Sequence, residues 1–284
     1  MRFPAIDTER YIAFLLSTLP KLALKRLYSP RWPFPMRQYA VLGRALREAR
    51  DRPGIALEFG VFRGLSLSHA ARKYPQRRFY GFDSFEGLPQ DGRPDWKIDF
   101  ALPELPRVPA NCRLMPGWFR NTIPPFLAEH GDPIAFVGID CDLYSSTRDV
   151  LFGLGERLRP GTVFYFDELV NYDSFLWNEM LALFEFLEAT GYGVEWLALH
   201  CRLRSIEEVF AHYDADNYPH WRRDFANGYR LPAAAVLTAR NDDLRMLNDD
   251  TEAARVKALA RQFERFTERY RSLWMPTPEA TPAA

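Results

Sequence analysis

The chain has 284 residues, and Lys plus Arg equals Asp plus Glu at 37 each, so no global field recommends nucleic acid or an anionic membrane as a partner. Its 47% hydrophobic content can fill one α/β core of about 200 residues with decorations at both ends. The three cysteines, Cys112, Cys141 and Cys201, are odd in number and widely spaced, which argues against a disulfide framework and for a reducing, cytoplasmic compartment.

Residues 1–50 read as a helical cap ahead of the main domain. The apolar run at 11–19 is too short to span a membrane, follows Asp7 and Glu9, and meets Pro20, so no membrane span or signal peptide is expected. A helix covering the site or touching a second copy is favoured there over one lying on a membrane surface. Residues 36–50 form a second expected helix. The main domain then runs over 51–242.

It opens with Leu57-Glu58-Phe59-Gly60-Val61-Phe62-Arg63-Gly64, a strand, a glycine turn and the start of a helix. Gly60 and Gly64 would let the backbone pass close to a bound cofactor, which the helix amino terminus would face. The next strand-like run ends in Asp83-Ser84. An acid about 20 residues beyond the glycine turn is where a carboxylate holds a ribose diol. Residues 89–109, rich in proline and charge, read as a substrate-facing loop. For Gly117-Trp118-Phe119, an aromatic wall over adenine and ordinary core packing stand at even odds.

Val137 to Ile139 and Val163 to Phe166 are continuous apolar runs, as buried parallel strands require. Their carboxyl ends carry Asp140, Asp142, Asp167 and Glu168. In an open α/β sheet the ligand crevice lies outside these ends, so the four acids would converge. An all-oxygen cluster of like charges suits magnesium or calcium rather than zinc. If strand alternation continued through Asp140-Cys141-Asp142, the Cys141 side chain would face away from the acids. Ser145, Ser146 or Thr147 is expected to cap the helix that follows.

Beyond Gly193 come a strand at 194–199, an insertion at about 203–230, and a last strand at 234–239. His200, His212 and His220 lack the spacing of a zinc site. Residues 243–274 form a helix in which Val256, Leu259, Phe263, Phe266, Tyr270 and Leu273 make one apolar seam, covered either by this chain or by a second copy in a homodimer. Residues 275–284 are expected to be disordered.

The choice of cofactor rests on the loop after the first strand. A dinucleotide site wants Gly-x-Gly-x-x-Gly, which fails after Gly60, and the P-loop pattern is absent. Glu58 would repel phosphate and attract an ammonium or sulfonium group, which suits S-adenosylmethionine. A nicotinamide-dependent oxidoreductase is the disfavoured enzyme alternative. A catalytically silent cofactor-binding or scaffold protein is the other.

Five blocks in one order, over roughly residues 55–195, resemble the macrocin O-methyltransferase type of class I S-adenosylmethionine-dependent methyltransferases. They are Glu58 to Val61 with Arg63-Gly64; Gly81 to Pro89; Gly117-Trp118-Phe119 with Thr122 to Pro124; Asp140 to Thr147; and Pro160-Gly161 ahead of Asp167-Glu168. The resemblance implies a doubly wound, mostly parallel seven-stranded sheet whose last strand is antiparallel. It implies cofactor contacts along Glu58, Gly60, Arg63, Gly64, Asp83, Ser84, Gly117, Trp118 and Phe119. It implies Mg2+ or another hard divalent cation on Asp140, Asp167 and Glu168, and Asp142 as general base. Glu168 departs from the family's usual aspartate. The implied acceptor is a hydroxyl of a sugar or other diol-like small molecule, possibly glycosylated, in natural product biosynthesis.

Overall fold

A computed structural model describes residues 6–27, 38–89, 100–172, 174–200, 202–214, 232–242 and 250–274. Two helices come first, α1 (Thr8–Ala23) and α2 (Gln38–Ala49). Asp7 caps α1 by accepting the Arg10 N–H at 3.1 Å. The helix continues through Pro20 to Ala23. Proline there cannot donate the i→i−4 bond of the last turn, yet the three residues beyond it stay helical.

The main domain alternates β1 (Ile55–Phe59), α3 (Leu65–Lys73), β2 (Phe79–Asp83), β3 (Cys112–Pro116), α4 (Phe119–Glu129), β4 (Ile134–Ile139), α5 (Tyr144–Leu154), β5 (Val163–Phe166), α6 (Glu179–Thr190), β6 (Gly193–Leu199), α7 (Ile206–Asp214) and β7 (Ala233–Thr238). The strands form one seven-stranded sheet in the order β3-β2-β1-β4-β5-β7-β6. Pairings are parallel except those of β7, which runs antiparallel to β5 and β6. This is the doubly wound class I methyltransferase architecture, with the order reversing between β1 and β4.

Strand alternation builds two apolar layers. Ile55, Leu57 and Phe59 face a layer with Tyr11, Phe126, Val150 and Phe184, while Ala56 faces one with Val41, Leu67 and Ala70. Continuous apolar strands follow from this coverage on both faces. Glu58 shares the parity of Ala56 and therefore sits in the α2/α3 layer.

The last helix, α8, covers Asp250–Trp274; its expected start at 243 lies outside the described residues. Val256, Leu259, Phe263 and Phe266 are buried, and the helix packs on α1 and α7. Phe263 stacks on Trp177 at 5.1 Å, whose Nε1 donates to Thr267 Oγ1 at 2.8 Å. At these four positions the seam is covered by the chain itself. The side chains of Tyr270, Leu273 and His212, most of the insertion including His220, and the tail lie outside the described residues.

Candidate active site

The carboxyl ends of β1, β2, β3 and β4 border a cleft of about 550 Å³, within the size range of small-molecule sites. Two backbone hooks tie its rim: Gly60 N–H donates to Phe82 O and Asp140 N–H to Phe59 O. Gly60 has φ +90, and a Cβ on it would stand 1.6 Å from the Asp140 carbonyl oxygen. Only glycine fits, and the close approach it permits is first to the chain's own backbone rather than to a cofactor.

Asp83, at the end of β2, lines the cleft. Its Oδ2 accepts the N–H groups of Val61 and Phe62, both at 2.8 Å, and its Oδ1 that of Phe85 at 2.7 Å. One carboxylate thus clasps the β1–α3 turn, in which Phe62 holds a left-handed φ of +46. Ser84 Oγ accepts from Glu86 N–H and donates to Gly87 O, and so shapes its own turn. Phe62 meets Phe100 edge-on at 5.3 Å, and the Arg63 guanidinium lies over the Phe62 ring at 5.1 Å.

Of the residues expected at the site, Gly60, Asp83, Ser84, Trp118, Phe119, Asp140 and Asp142 line this cleft. Glu58, Arg63, Gly64, Gly117, Asp167 and Glu168 do not. Glu58 lies beneath the glycine turn, where its Oε1 accepts from Ser66 Oγ at 2.8 Å. Burial pushes its carboxyl up to about 8, with Asp167 and Asp83 adding to the rise and bonds from Ser66 and Leu67 opposing it. A side chain so placed supports the turn and does not line the cleft. Gly64 is the left-handed amino cap of α3.

β4 ends at Ile139. Asp140, Cys141 and Asp142 all border the cleft, and at Asp142 a φ of +61 turns the chain. The Cys141 side chain is buried with Val137 and Ile139 in the layer that Phe59 faces, as alternation predicts, with its Sγ 3.5 Å from Thr147 Oγ1 at the start of α5. Ser145, Ser146 and Thr147 do not cap α5; the Tyr144 N–H is met by Asn178 Oδ1 at 3.3 Å. Ser145 and Asp149 border the cleft, and the buried Ser145 Oγ has no hydrogen-bond partner. Their i, i+4 spacing on one face of α5 was the signal that would have found them.

Burial, and then the neighbouring Asp167, Asp142, Glu58 and Glu168, hold the Asp140 carboxyl well above the ordinary range. The acids expected to meet are therefore within electrostatic reach of one another. The Tyr165 hydroxyl donates to Asp167 Oδ1, and Glu168 is buried. Among the described residues no three His, Cys, Asp or Glu side chains are grouped so as to hold a metal ion. A fifth acid, Glu179 at the start of α6, is fully buried near Asp142 and Asp167. No motif in the sequence marks it.

Residues 57–169 match a family model described as a methyltransferase domain. Over 145 residues the chain is 34% identical to the 8-demethyl-8-(2,3-dimethoxy-alpha-L-rhamnosyl)-tetracenomycin-C 4'-O-methyltransferase of Streptomyces olivaceus, covering 41% of this chain and 53% of that protein. Over 138 residues it is 30% identical to the mycinamicin III 3''-O-methyltransferase of Micromonospora griseorubida, covering 38% of this chain and 52% of that protein. The chain spans about half the length of these curated relatives. A solved calicheamicin methyltransferase aligns at 24% identity with a TM-score of 0.47, over 83% of this chain and 94% of that one.

Proposed function

From a chain that belongs, through a methyltransferase domain at 57–169, to the macrocin-type S-adenosylmethionine-dependent methyltransferases, we propose an O-methyltransferase acting on a sugar hydroxyl of a glycosylated small molecule. The observation that carries this reading is the meeting of Asp83, Trp118, Asp140 and Asp142 on one cleft of about 550 Å³. Asp83 Oδ1 accepts a single protein N–H and so retains capacity for a ribose hydroxyl. Trp118 and Phe119 offer aromatic surface for adenine, and Asp140 and Asp142 would face the sulfonium end. The two curated relatives named above, both O-methyltransferases, motivate the sugar acceptor.

Asp142 is the proposed general base. It is 8% exposed in a left-handed backbone conformation, the kind of local strain that persists where surrounding structure holds a residue for use. Removing a proton from the acceptor oxygen as the methyl group transfers would be its task, and holding the two reactants in line is the larger part of the catalysis.

The donors Asp140, Asp167 and Glu168 have the chemistry of a hard-cation site, but as arranged they do not gather into a ligand set. Magnesium bound there would lower the pKa of an acceptor hydroxyl; no step above passes through it. A cytoplasmic location belongs to the same reading and rests on unpaired Cys112 and Cys141. Among the described residues no helix is long and apolar enough to cross a membrane.

Calorimetry with S-adenosylmethionine and with NAD tests the cofactor, and binding of NAD alone would reject the reading. Asp142→Asn should bind cofactor normally and lose about 10²–10⁴ in rate; a wild-type rate removes it as base. Asp167→Ala should abolish stimulation by magnesium, whereas full activity of the wild type in excess chelator would reject the metal.

A further inference from the structure

The edge of the sheet opposite the cleft carries a second concavity, of about 460 Å³, at the amino ends of β1, β2 and β4. β1 separates the two by about 16 Å of strand. Arg50, Arg52, Lys73, Arg77 and Arg78 line this concavity together with one acid, Asp132. Over the whole chain the two signs balance at 37 each, so five cations to one acid is a local excess. Like charges gathered in one place repel unless something opposes them.

The fold accounts for part of this group. Two helices end here, and the last carbonyls of a helix lack partners within it. Arg77 donates to the carbonyls of Ala49, Arg50, Arg52 and Gly54 at 2.8–3.0 Å and so closes the end of α2. Asn111 Nδ2 does the same for α3, donating to Ala71 O at 3.1 Å, Tyr74 O at 3.4 Å and Arg77 O at 3.0 Å. Arg52 pairs with Glu48 at 3.0 Å.

Arg50, Lys73 and Arg78 are left without such a duty. They come from three elements, the ends of α2 and α3 and the start of β2. Arg50 pairs with its neighbour Asp51 at 2.9 Å and Arg78 with Asp132 at 2.6 Å, but the two arginine side chains are 63% and 58% exposed. Ion pairs so exposed contribute little to a fold, and a ligand can replace them. Among the described residues Lys73 has no acidic partner.

Three cations on three elements around one concavity suit an anion that carries several charges along its length. The planar fork of arginine matches phosphate oxygens, and the lysine ammonium serves the same group as a point charge. Across about 460 Å³ a linear di- or triphosphate fits better than a single orthophosphate. Tyr74 and Pro75 on the same wall add apolar surface on which a nucleobase can rest. We propose that this corner binds a short polyphosphate, free or carried on a nucleotide, through Arg50, Lys73 and Arg78. Nothing in the proposal depends on methyl transfer.

Calorimetry on the full chain at low salt, where charge contacts are least screened, tests it with inorganic triphosphate, uridine diphosphate and orthophosphate. Triphosphate should bind one to one, and about tenfold or more tighter than orthophosphate. Arg50→Ala, Lys73→Ala and Arg78→Ala should each weaken it by about tenfold, the worth of a hydrogen bond between charged groups. All three side chains are exposed, so the variants should fold. Lys257→Ala, at an exposed position of α8, should bind as the wild type does, and saturating S-adenosylhomocysteine should leave the affinity unchanged. Uridine diphosphate tighter than inorganic diphosphate assigns the site to a nucleotide, and equal affinities assign it to the free polyphosphate. No binding of any polyphosphate, an equal loss in Lys257→Ala, or displacement by S-adenosylhomocysteine overturns the proposal.

Discussion

Removing the Asp83 carboxylate should separate what it does for the fold from what it does for the cofactor. In Asp83→Ala three backbone N–H groups lose an acceptor, those of Val61 and Phe62 at 2.8 Å and of Phe85 at 2.7 Å. Each hydrogen bond to a charged group is worth about 1.5–3 kcal/mol. Val61 is 3% exposed, so water cannot readily replace its bond, whereas Phe62 is half-buried and partly recovers. The net loss should be about 3–5 kcal/mol of folding stability after that recovery. Cofactor affinity should fall further, because the turn bearing Phe62 loosens and a ribose partner is gone; a second loss of about 1.5–3 kcal/mol corresponds to roughly 10- to 150-fold. Urea unfolding followed by tryptophan fluorescence, with and without S-adenosylmethionine, reads the first quantity, and calorimetry reads the second. A variant within about 1 kcal/mol of wild-type stability would refute the clasp. Unchanged affinity in a folded variant would refute the ribose contact, and the two outcomes are independent.

The pH dependence of Glu58 has a definite sign. Its carboxyl is raised from 4.5 to about 8 in the fold, so the native state keeps a proton that the unfolded chain releases. Wild-type stability should therefore decline as pH rises from about 4.5 to 8, by up to about 1.4 kcal/mol per unit, and level off above. Glu58→Gln, which can still accept from Ser66, should lack this slope, and parallel denaturation profiles for the two proteins between pH 5 and 9 would contradict it. In α8, Phe263→Ala removes a ring stacked on Trp177 at 5.1 Å and edge-on to Tyr11 at 5.6 Å. Chemical denaturation should show a loss of about 3–5 kcal/mol; a loss under about 1 kcal/mol would mean that the seam is not packed on its own domain.

The sheet was legible because buried parallel strands are continuous apolar runs that end abruptly in acids or glycine, as Ile134–Ile139 before Asp140 shows. Position within a helix was harder to read. α1 runs through Pro20 to Ala23 although proline cannot donate the i→i−4 bond due at that position. α5 begins at Tyr144, and its first N–H is capped from Asn178, 34 positions away in sequence. No local signal announces a cap supplied by another helix.

Around the cleft, spacing placed the acids at the strand ends but did not say which way each faces. Orientation by alternation holds only while φ and ψ remain extended; it reaches Cys141, and the left-handed turn at Asp142 ends that regime. The same limit governs Glu58, whose in-strand parity with Ala56 turns it toward α3 and Ser66 rather than toward the cleft. At Gly60 and Asp83 the structure shows a duty within the chain that the sequence did not announce. Their tightest contacts are to the chain's own backbone, at Asp140 O for the glycine and at Val61, Phe62 and Phe85 for the acid. A residue can therefore mark a ligand site by building its walls before it touches any ligand. For Asp83 the two duties call for the same carboxylate, and only Oδ1, with a single protein partner, has room for both.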